Sequence, residues 1–206
     1  MITRMGILLV GLSITAAMAT PVNDTPALLL SPFIKQNRLQ EARNASLVNS
    51  SLFLNITSHA GFLTVDEKHN SNMYFWYFPV ADKPVNETPW IVWLQGGPGA
   101  SSLAGLFDEI GPFEYVGGKL KRRQWSWGDK YSLLFVDNPV GAGFSFTNSL
   151  DGFVKDMETC PATVPGGIPG AARCAAVRRW RVVRGPLRAI FRVQDLRGAT
   201  HWKCID

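Results

Sequence analysis

The first 159 residues contain no cysteine, and this absence narrows the chemistry available to the body of the chain. Cys160, Cys174 and Cys204 all lie towards the C-terminus, and their spacing matches no zinc-binding motif. A disulfide framework, a cysteine nucleophile and a cysteine-based zinc site are therefore excluded from residues 1–159. We expect neither a bound metal nor a cofactor.

Residues 160–206 lack five common residue types: serine, asparagine, glutamate, tyrosine and methionine. This segment carries eight arginines and one lysine against two aspartates, whereas residues 1–159 contain more acidic than basic side chains. A folded domain would seldom drop five residue types at once, but translation in a wrong frame or through an intron produces such a shift. We therefore predict that 160–206 is an unrelated, disordered tail rich in arginine, proline and glycine.

Long apolar runs are also missing after the first residues, since no later run reaches the ~18 residues that a membrane span needs. The N-terminus places Arg4 before an apolar run and then Ala17-Met18-Ala19, which is the pattern of a secretory signal peptide over residues 1–19. A buried first helix is the alternative. We expect a secretory-pathway protein without a membrane span, either secreted or held in a lysosome-like acidic compartment. Sequons for N-glycosylation agree with this route and occur at Asn23, Asn44, Asn49, Asn55 and Asn86.

The body of the chain shows alternating strand and loop patterns. Residues 26–60 have no sustained helical period, and we predict an extended leader there. The runs "GFLTV" (61–65) and "MYFWYFPV" (73–80) are rich in aromatic and branched residues and flank a turn-like segment, which predicts a β-hairpin. The runs "WIVWLQ" (90–95) and "YSLLFVD" (131–137) are apolar and predict buried strands.

A helix is predicted between these two buried strands. The apolar residues that fall on one helical face are Leu103, Leu106, Phe107 and Ile110. Ser101 or Ser102 is the expected cap, and Gly111-Pro112 is the expected end. The order strand, loop, helix and strand indicates an α/β fold.

The loop Gly96-Gly97-Pro98-Gly99 joins the first buried strand to this helix, and three interpretations compete for it. A phosphate-binding loop is disfavoured because no Gly-Lys-[Ser/Thr] follows and Ser102 stands where a dinucleotide fingerprint needs its third glycine. A tight turn that only redirects the chain is the second interpretation. The third is an oxyanion hole, in which a glycine N–H faces the oxygen of an acyl-transfer intermediate. Spacing alone leaves the turn and the oxyanion hole open.

The motifs around this loop resemble those of the serine carboxypeptidase family. The stretches "PWIVWLQGGPGASSLAGLFDEIGPF" and "WSWGDKYSLLFVDNPVGAGFSFT" carry the resemblance, which is nearest to vitellogenic-like members and extends over residues 26–150. It implies the N-terminal part of an α/β-hydrolase fold, a mixed sheet with flanking helices, over residues 20–159. The implied activity is release of C-terminal residues from peptides through an acyl-enzyme.

The resemblance also implies roles for five residues of the chain. Gly97 would donate its backbone N–H to the oxyanion. Trp93, Gln95 and Gly96 would hold the C-terminal carboxylate of a peptide, and Glu109 would share a proton with that carboxylate at acidic pH. Helical spacing by itself favours a solvated role for Glu109. Gln95 stands where many family members have asparagine, and both side chains present an amide.

The family's catalytic serine, in a G-x-S-x-G elbow, and the Asp and His that follow it have no counterpart in this sequence. No G-x-S-x-G elbow occurs in the chain, and His59 and His69 precede the glycine loop, where ordinary loop histidines are expected. We therefore predict an inactive, truncated form. Its sheet would end in unpaired apolar edges such as Ile91–Leu94 or Leu133–Val136, which favour aggregation.

A second hypothesis belongs to a different class of function. The chain would be a non-catalytic secreted binding protein whose arginine-rich tail, over residues 173–197, engages anionic surfaces such as glycosaminoglycans. A peptide C-terminus is the partner under the first hypothesis, and nucleic acid is a partner under neither.

Overall fold

The computed structural model describes residues 26–83, 88–97 and 99–155. Several sequence-based predictions lie outside the described residues: the signal peptide at 1–19, the tail at 160–206 and the sequons at Asn23 and Asn86. Within the described ranges, no helix is both long and apolar enough to cross a membrane.

The segment before the first strand forms two short helices, α1 (Ser31–Lys35) and α2 (Leu39–Ala45), and a 3₁₀ turn at Ser50–Leu52. The prediction of an extended leader is therefore wrong for this segment. Helices of five and seven residues leave the helical period almost no room to repeat, so its absence from the sequence carried little information. Tertiary contacts fix the segment instead, because Leu30 and Ala42 are fully buried.

The predicted β-hairpin is confirmed. Strand β1 (His59–Asp66) pairs antiparallel with β2 (Ser71–Phe78) around a four-residue turn. Successive side chains of a strand point to opposite faces of the sheet, and Trp76 and Tyr77 accordingly pack in two different core clusters. Strand β2 is buried on both faces, which accounts for its nearly unbroken run of aromatic residues.

Four more strands follow in the described part of the chain: β3 (Trp90–Trp93), β4 (Phe113–Val116), β5 (Lys119–Arg122) and β6 (Ser132–Val136). The main sheet has the order β1-β2-β6-β3, with β6 antiparallel to β2 and parallel to β3. Strands β3 and β6 are buried along their whole length, as the sequence predicts. The mixed sheet, with helices α1 and α2 on one side, agrees with the α/β prediction.

The prediction that β6 is an unpaired edge of the sheet is wrong. Because β6 has a neighbouring strand on each side, Leu133–Val136 is not an unpaired edge. Within the described residues β3 pairs only with β6, so Ile91–Trp93 does lie at an edge. The connection from β3 to β6 returns the chain into the sheet between β3 and β2, and the order of strands in the sequence does not reveal such an insertion.

Two hydrophobic cores cover the two faces of the sheet. The first lies between the sheet and helices α1 and α2, and it includes Leu30, Tyr77 and Val136. The second lies between the sheet and the segment after the glycine loop, and it includes Leu106 and Phe113. The sheet is therefore the middle layer of three, as buried parallel pairing requires.

The hairpin of β4 and β5 is missing from the sequence-based prediction. A signal for it was present, since Gly117-Gly118 separates two four-residue runs and both glycines have positive φ, +60° and +76°. Arg123 ties this hairpin to the helical segment before it. Its guanidinium donates hydrogen bonds to the carbonyl oxygens of Phe107, Gly111 and Phe113 at 2.6, 3.0 and 2.9 Å.

Candidate active site

The helix predicted after the glycine loop is present, but its main part is a π-helix at Gly105–Glu109. The Ile110 N–H donates to the Gly105 carbonyl at 2.9 Å, which closes a five-residue turn. Of the two predicted caps, Ser101 accepts a hydrogen bond from the Leu103 N–H at 3.2 Å, just before the π-helix, but the N-cap of the π-helix itself is Ala104, which has no side-chain cap. Ser102 does not cap the helix and has a different role, described below.

Gly105 allows the π-helix to pack directly against the indole of Trp93. A Cβ at this position would lie 2.6 Å from both Cδ1 and Cε2 of Trp93, and closer still to Nε1. No side chain fits there unless the indole moves. The sequence signal for this contact is a single glycine inside a helical pattern, which usually has a packing reason.

A row of hydrogen bonds joins the end of β3 to the π-helix. Trp93 Nε1–H donates to Gln95 Oε1 at 2.7 Å, and Gln95 Nε2 donates to Glu109 Oε1 at 3.1 Å. Because the indole occupies the amide oxygen, the Gln95 amide presents its N–H₂ towards Glu109. Glu109 is half-buried against this amide, so the solvated role that helical spacing favours is wrong.

The glycine loop begins next to this row. Gly97 has φ +146° and Gly99 has φ +108°, a region that residues with a Cβ seldom adopt, so both positions require glycine. Gly97 is exposed, and its N–H has no acceptor within the described part of the chain. Gly96, which is half-buried, connects this N–H to Gln95.

Ser102 connects the two parallel strands just beyond their ends. Its buried Oγ accepts a hydrogen bond from the Gln95 N–H at 3.0 Å and donates to the Val136 carbonyl at 2.5 Å. Among the described residues, neither Ser101 nor Ser102 has a histidine as hydrogen-bond partner. The geometry therefore gives them structural roles.

Asp137, the residue after β6, is a buried carboxylate that sequence reasoning missed. Its Oδ1 accepts hydrogen bonds from Ser101 Oγ at 2.8 Å and from the Ser102 N–H at 2.7 Å, and its Oδ2 accepts from the Phe144 N–H at 2.9 Å. Burial and this nearby carboxylate raise the pKa of the Tyr74 phenol. An aspartate before Asn-Pro reads as a turn residue, so the sequence holds no clear signal for its burial.

The two histidines before the loop lie in or beside β1, at the opposite edge of the sheet from β3. His59 begins β1 rather than lying in a loop, and its Nδ1 is 3.1 Å from Ser46 Oγ. Burial lowers the pKa of His59 to about 4. His69 lies in the turn after β1, as expected, with Nδ1 2.5 Å from Asp66 Oδ2.

Three of the predicted glycosylation sites lie within the described residues. Asn44, Asn49 and Asn55 are all exposed. Asn49 Oδ1 accepts hydrogen bonds from both the N–H and the Oγ of Ser51, at 3.2 and 2.8 Å. Modification of these residues stays a prediction. Across the described ranges, no three His, Cys, Asp or Glu side chains form a group that could hold a metal.

Comparison with known proteins places this geometry in a family. The family described as serine carboxypeptidase matches residues 49–163, more than half of the chain. A vitellogenic carboxypeptidase of Aedes aegypti is 43% identical over 145 residues, which are 70% of this chain and 31% of that protein. A venom serine carboxypeptidase of Apis mellifera is 49% identical over 130 residues, which are 63% of this chain and 28% of that protein. The chain thus spans about three tenths of the length of these relatives.

A solved structure carries the same part of the fold. Kex1(delta)p, a prohormone-processing carboxypeptidase from Saccharomyces cerevisiae, matches 59% of this chain and 30% of its own, with 33% sequence identity and a TM-score of 0.52. The described sheet and its layers are therefore part of an α/β-hydrolase fold, as the motifs imply. With a match over residues 49–163 and relatives of vitellogenic type, this chain belongs to the serine carboxypeptidase family.

Proposed function

We propose that this chain carries the part of a serine carboxypeptidase that binds the free C-terminal carboxylate of a peptide. The hydrogen-bonded row Trp93–Gln95–Glu109, next to the glycine loop, is the observation that supports this most directly. A directed amide, a half-buried glutamate and neighbouring backbone N–H groups suit a carboxylate that shares a proton. The whole enzyme would release C-terminal residues from peptides through an acyl-enzyme.

Glu109 would make peptide binding depend on pH. Two carboxyl groups in contact cannot both ionise, so one proton must be shared when the peptide binds. Above the pH at which that proton is lost, affinity would fall by up to about tenfold per pH unit. This dependence favours an acidic compartment of the secretory pathway, reached through the signal at 1–19 and with glycans at the exposed sequons.

Gly97 would supply one donor of the oxyanion hole. The exposure of Gly97, its positive φ and the lack of an acceptor for its N–H within the described residues support this role, because such a donor is available to a ligand. The chain has no G-x-S-x-G elbow, and Ser101 and Ser102 are both engaged in hydrogen bonds within the fold. We therefore propose that these 206 residues by themselves do not hydrolyse peptides.

The alternative, an anion-binding protein, has no comparable support. The residues that would carry it, 173–197, lie outside both the described part of the chain and the family match.

Peptide binding is tested with an N-blocked dipeptide and its C-terminal amide as the matched ligand. Tryptophan fluorescence titrations at pH 5 and pH 7.5 are expected to show binding of the acid at pH 5, weaker binding at pH 7.5 and little binding of the amide. The Glu109→Gln variant should bind the acid with little dependence on pH, because its amide donates without needing a shared proton. Equal affinity for acid and amide would refute carboxylate recognition.

Turnover is tested separately, by release of the C-terminal residue from the same dipeptide at acidic pH. We expect none from the purified chain. Release that disappears in a Gly97→Pro variant would refute the proposed inactivity and would require a nucleophile elsewhere in the chain.

A further inference from the structure

Asp137 is a charged group with almost no contact with water, since only 1% of it is exposed. Within the described residues no lysine, arginine or histidine pairs with its carboxylate. A buried charge of this kind is tolerated only when hydrogen bonds replace its hydration. The three donors that do so come from two different loops.

The first loop is the glycine loop. Ser101 Oγ and the Ser102 N–H, both bound to Oδ1, come two and three residues after Gly99. Ser102 also accepts the N–H of Gln95 at the other end of the loop. The short segment between Gln95 and Ser102 is therefore held at both ends by one buried network.

The second loop follows β6, and it leaves space for the carboxylate. Oδ2 accepts the Phe144 N–H, and Gly143 packs against the same group. A Cβ at Gly143 would lie 2.5 Å from Asp137 Cγ and 2.8 Å from Ser101 Oγ. A larger residue at this position would displace both partners of the hydrogen bond.

We propose that Asp137 is a positioning residue, whose buried carboxylate holds Ser101 and Ser102 and thereby sets the direction of the Gly96 and Gly97 N–H groups. The proposal rests on the proposed function for what those N–H groups bind, but the contacts that carry it involve no ligand. Gly96, Gly97 and Gly99 have no side chains that could pack and fix the loop. The direction of the Gly96 and Gly97 N–H groups would therefore depend mainly on the Asp137 carboxylate.

The test compares three variants of the full chain. Asp137→Asn removes the charge, and whichever way its amide turns, an N–H₂ faces an N–H or O–H donor. Gly143→Ala keeps the charge but displaces the carboxylate. Gly117→Ala is the matched control, since φ is +60° there and +52° at Gly143, while nothing lies within 4 Å of its added Cβ.

The readout is the set of ¹H–¹⁵N signals of the glycines in ¹⁵N-glycine-labelled protein. We expect the signals of Gly96 and Gly97 to shift or broaden in Asp137→Asn and Gly143→Ala but not in Gly117→Ala. Signals from Gly61 and Gly128, in β1 and the turn before β6, should keep their wild-type positions in all three. Unchanged Gly96 and Gly97 signals in both test variants would overturn the proposal. If Asp137→Asn does not fold, Ser101→Ala, which removes a single donor, decides in its place by the same signals.

Dipeptide affinity separates this inference from the proposed function. If the wild type binds, both test variants should bind about tenfold more weakly or worse, since displacement of a positioning group by about 1 Å has effects of this order or larger. Wild-type affinity in both variants would overturn the positioning role even if the signals shift. If the wild type does not bind, the proposed function fails, while the glycine signals still decide whether Asp137 holds the loop.

Discussion

Replacing Gly105 with alanine tests whether the π-helix depends on its contact with Trp93. The added Cβ would lie 2.6 Å from two indole carbons, which is far inside van der Waals contact. Trp93 is 4% exposed, so its ring cannot move without displacing the residues packed around it. The helix must shift outwards, or the indole must turn away from Gln95.

The expected cost follows from three contributions. Overpacking in a close-packed interior costs about 1–3 kcal/mol. Loss of the Trp93–Gln95 hydrogen bond adds about 0.5–1.5 kcal/mol, because its partners stay partly buried. The higher helix propensity of alanine stabilises the variant by about 1 kcal/mol at most. With the full propensity gain subtracted, we expect Gly105→Ala to lower the free energy of unfolding by about 0.5–3.5 kcal/mol.

Urea unfolding followed by circular dichroism measures this change. Gly128→Ala is the control, because its Cβ would meet Ser126 Oγ at 3.1 Å, a tight contact that a movement of a few tenths of an ångström relieves, and Leu133 Cδ1 at 3.5 Å, an ordinary contact. The control should therefore be destabilised less than Gly105→Ala. If Gly105→Ala is as stable as the control and keeps the wild-type affinity for the dipeptide, the reasoning about this contact is wrong.

Three more predictions concern other parts of the chain. The pKa of His59 is lowered to about 4, so the contribution of its neutral form to stability is complete above the unfolded pKa near 6.5 and is lost as the pH falls towards 4. Urea unfolding should therefore show that the free energy of unfolding falls by at most about 2 kcal/mol from pH 7 to pH 5. The His59→Gln variant should lose most of this pH dependence. The Arg123→Lys variant should have a free energy of unfolding that is lower by about 1–3 kcal/mol in urea unfolding, because a single ammonium cannot reach all three carbonyl oxygens that the guanidinium binds. A stability equal to that of the wild type would contradict this role of Arg123. Trypsin should cut the arginines of 160–206 before any site within 90–145, as mass spectrometry of a time course will show; equal protection of both segments would mean that the tail is folded.

Much of the local structure could be predicted because its signals are local. Aromatic and branched runs on either side of a turn predict the hairpin of β1 and β2, and apolar runs bounded by proline and glycine predict β3 and β6. The glycine loop was also readable, since glycines at Gly97 and Gly99 signal backbone conformations that other residues avoid. Motifs of adjacent residues then carried the family assignment, which the comparisons confirm.

The sequence did not reveal which residues meet across the fold. That β6 lies between β2 and β3 depends on how the chain returns to the sheet, and no run of residues records that path. Glu109 faces Gln95 because the segment adopts a π-helix packed on Trp93. The α-helical period of 3.6 residues had instead predicted that Glu109 is exposed to solvent. The sequence around Asp137 is typical of a turn. Its carboxylate is buried because Ser101 and Ser102, which are distant in the sequence, and Phe144 donate hydrogen bonds to it in the folded chain. Hydrogen bonds and steric contacts between distant segments decide these features, because they arise only once those segments are packed together.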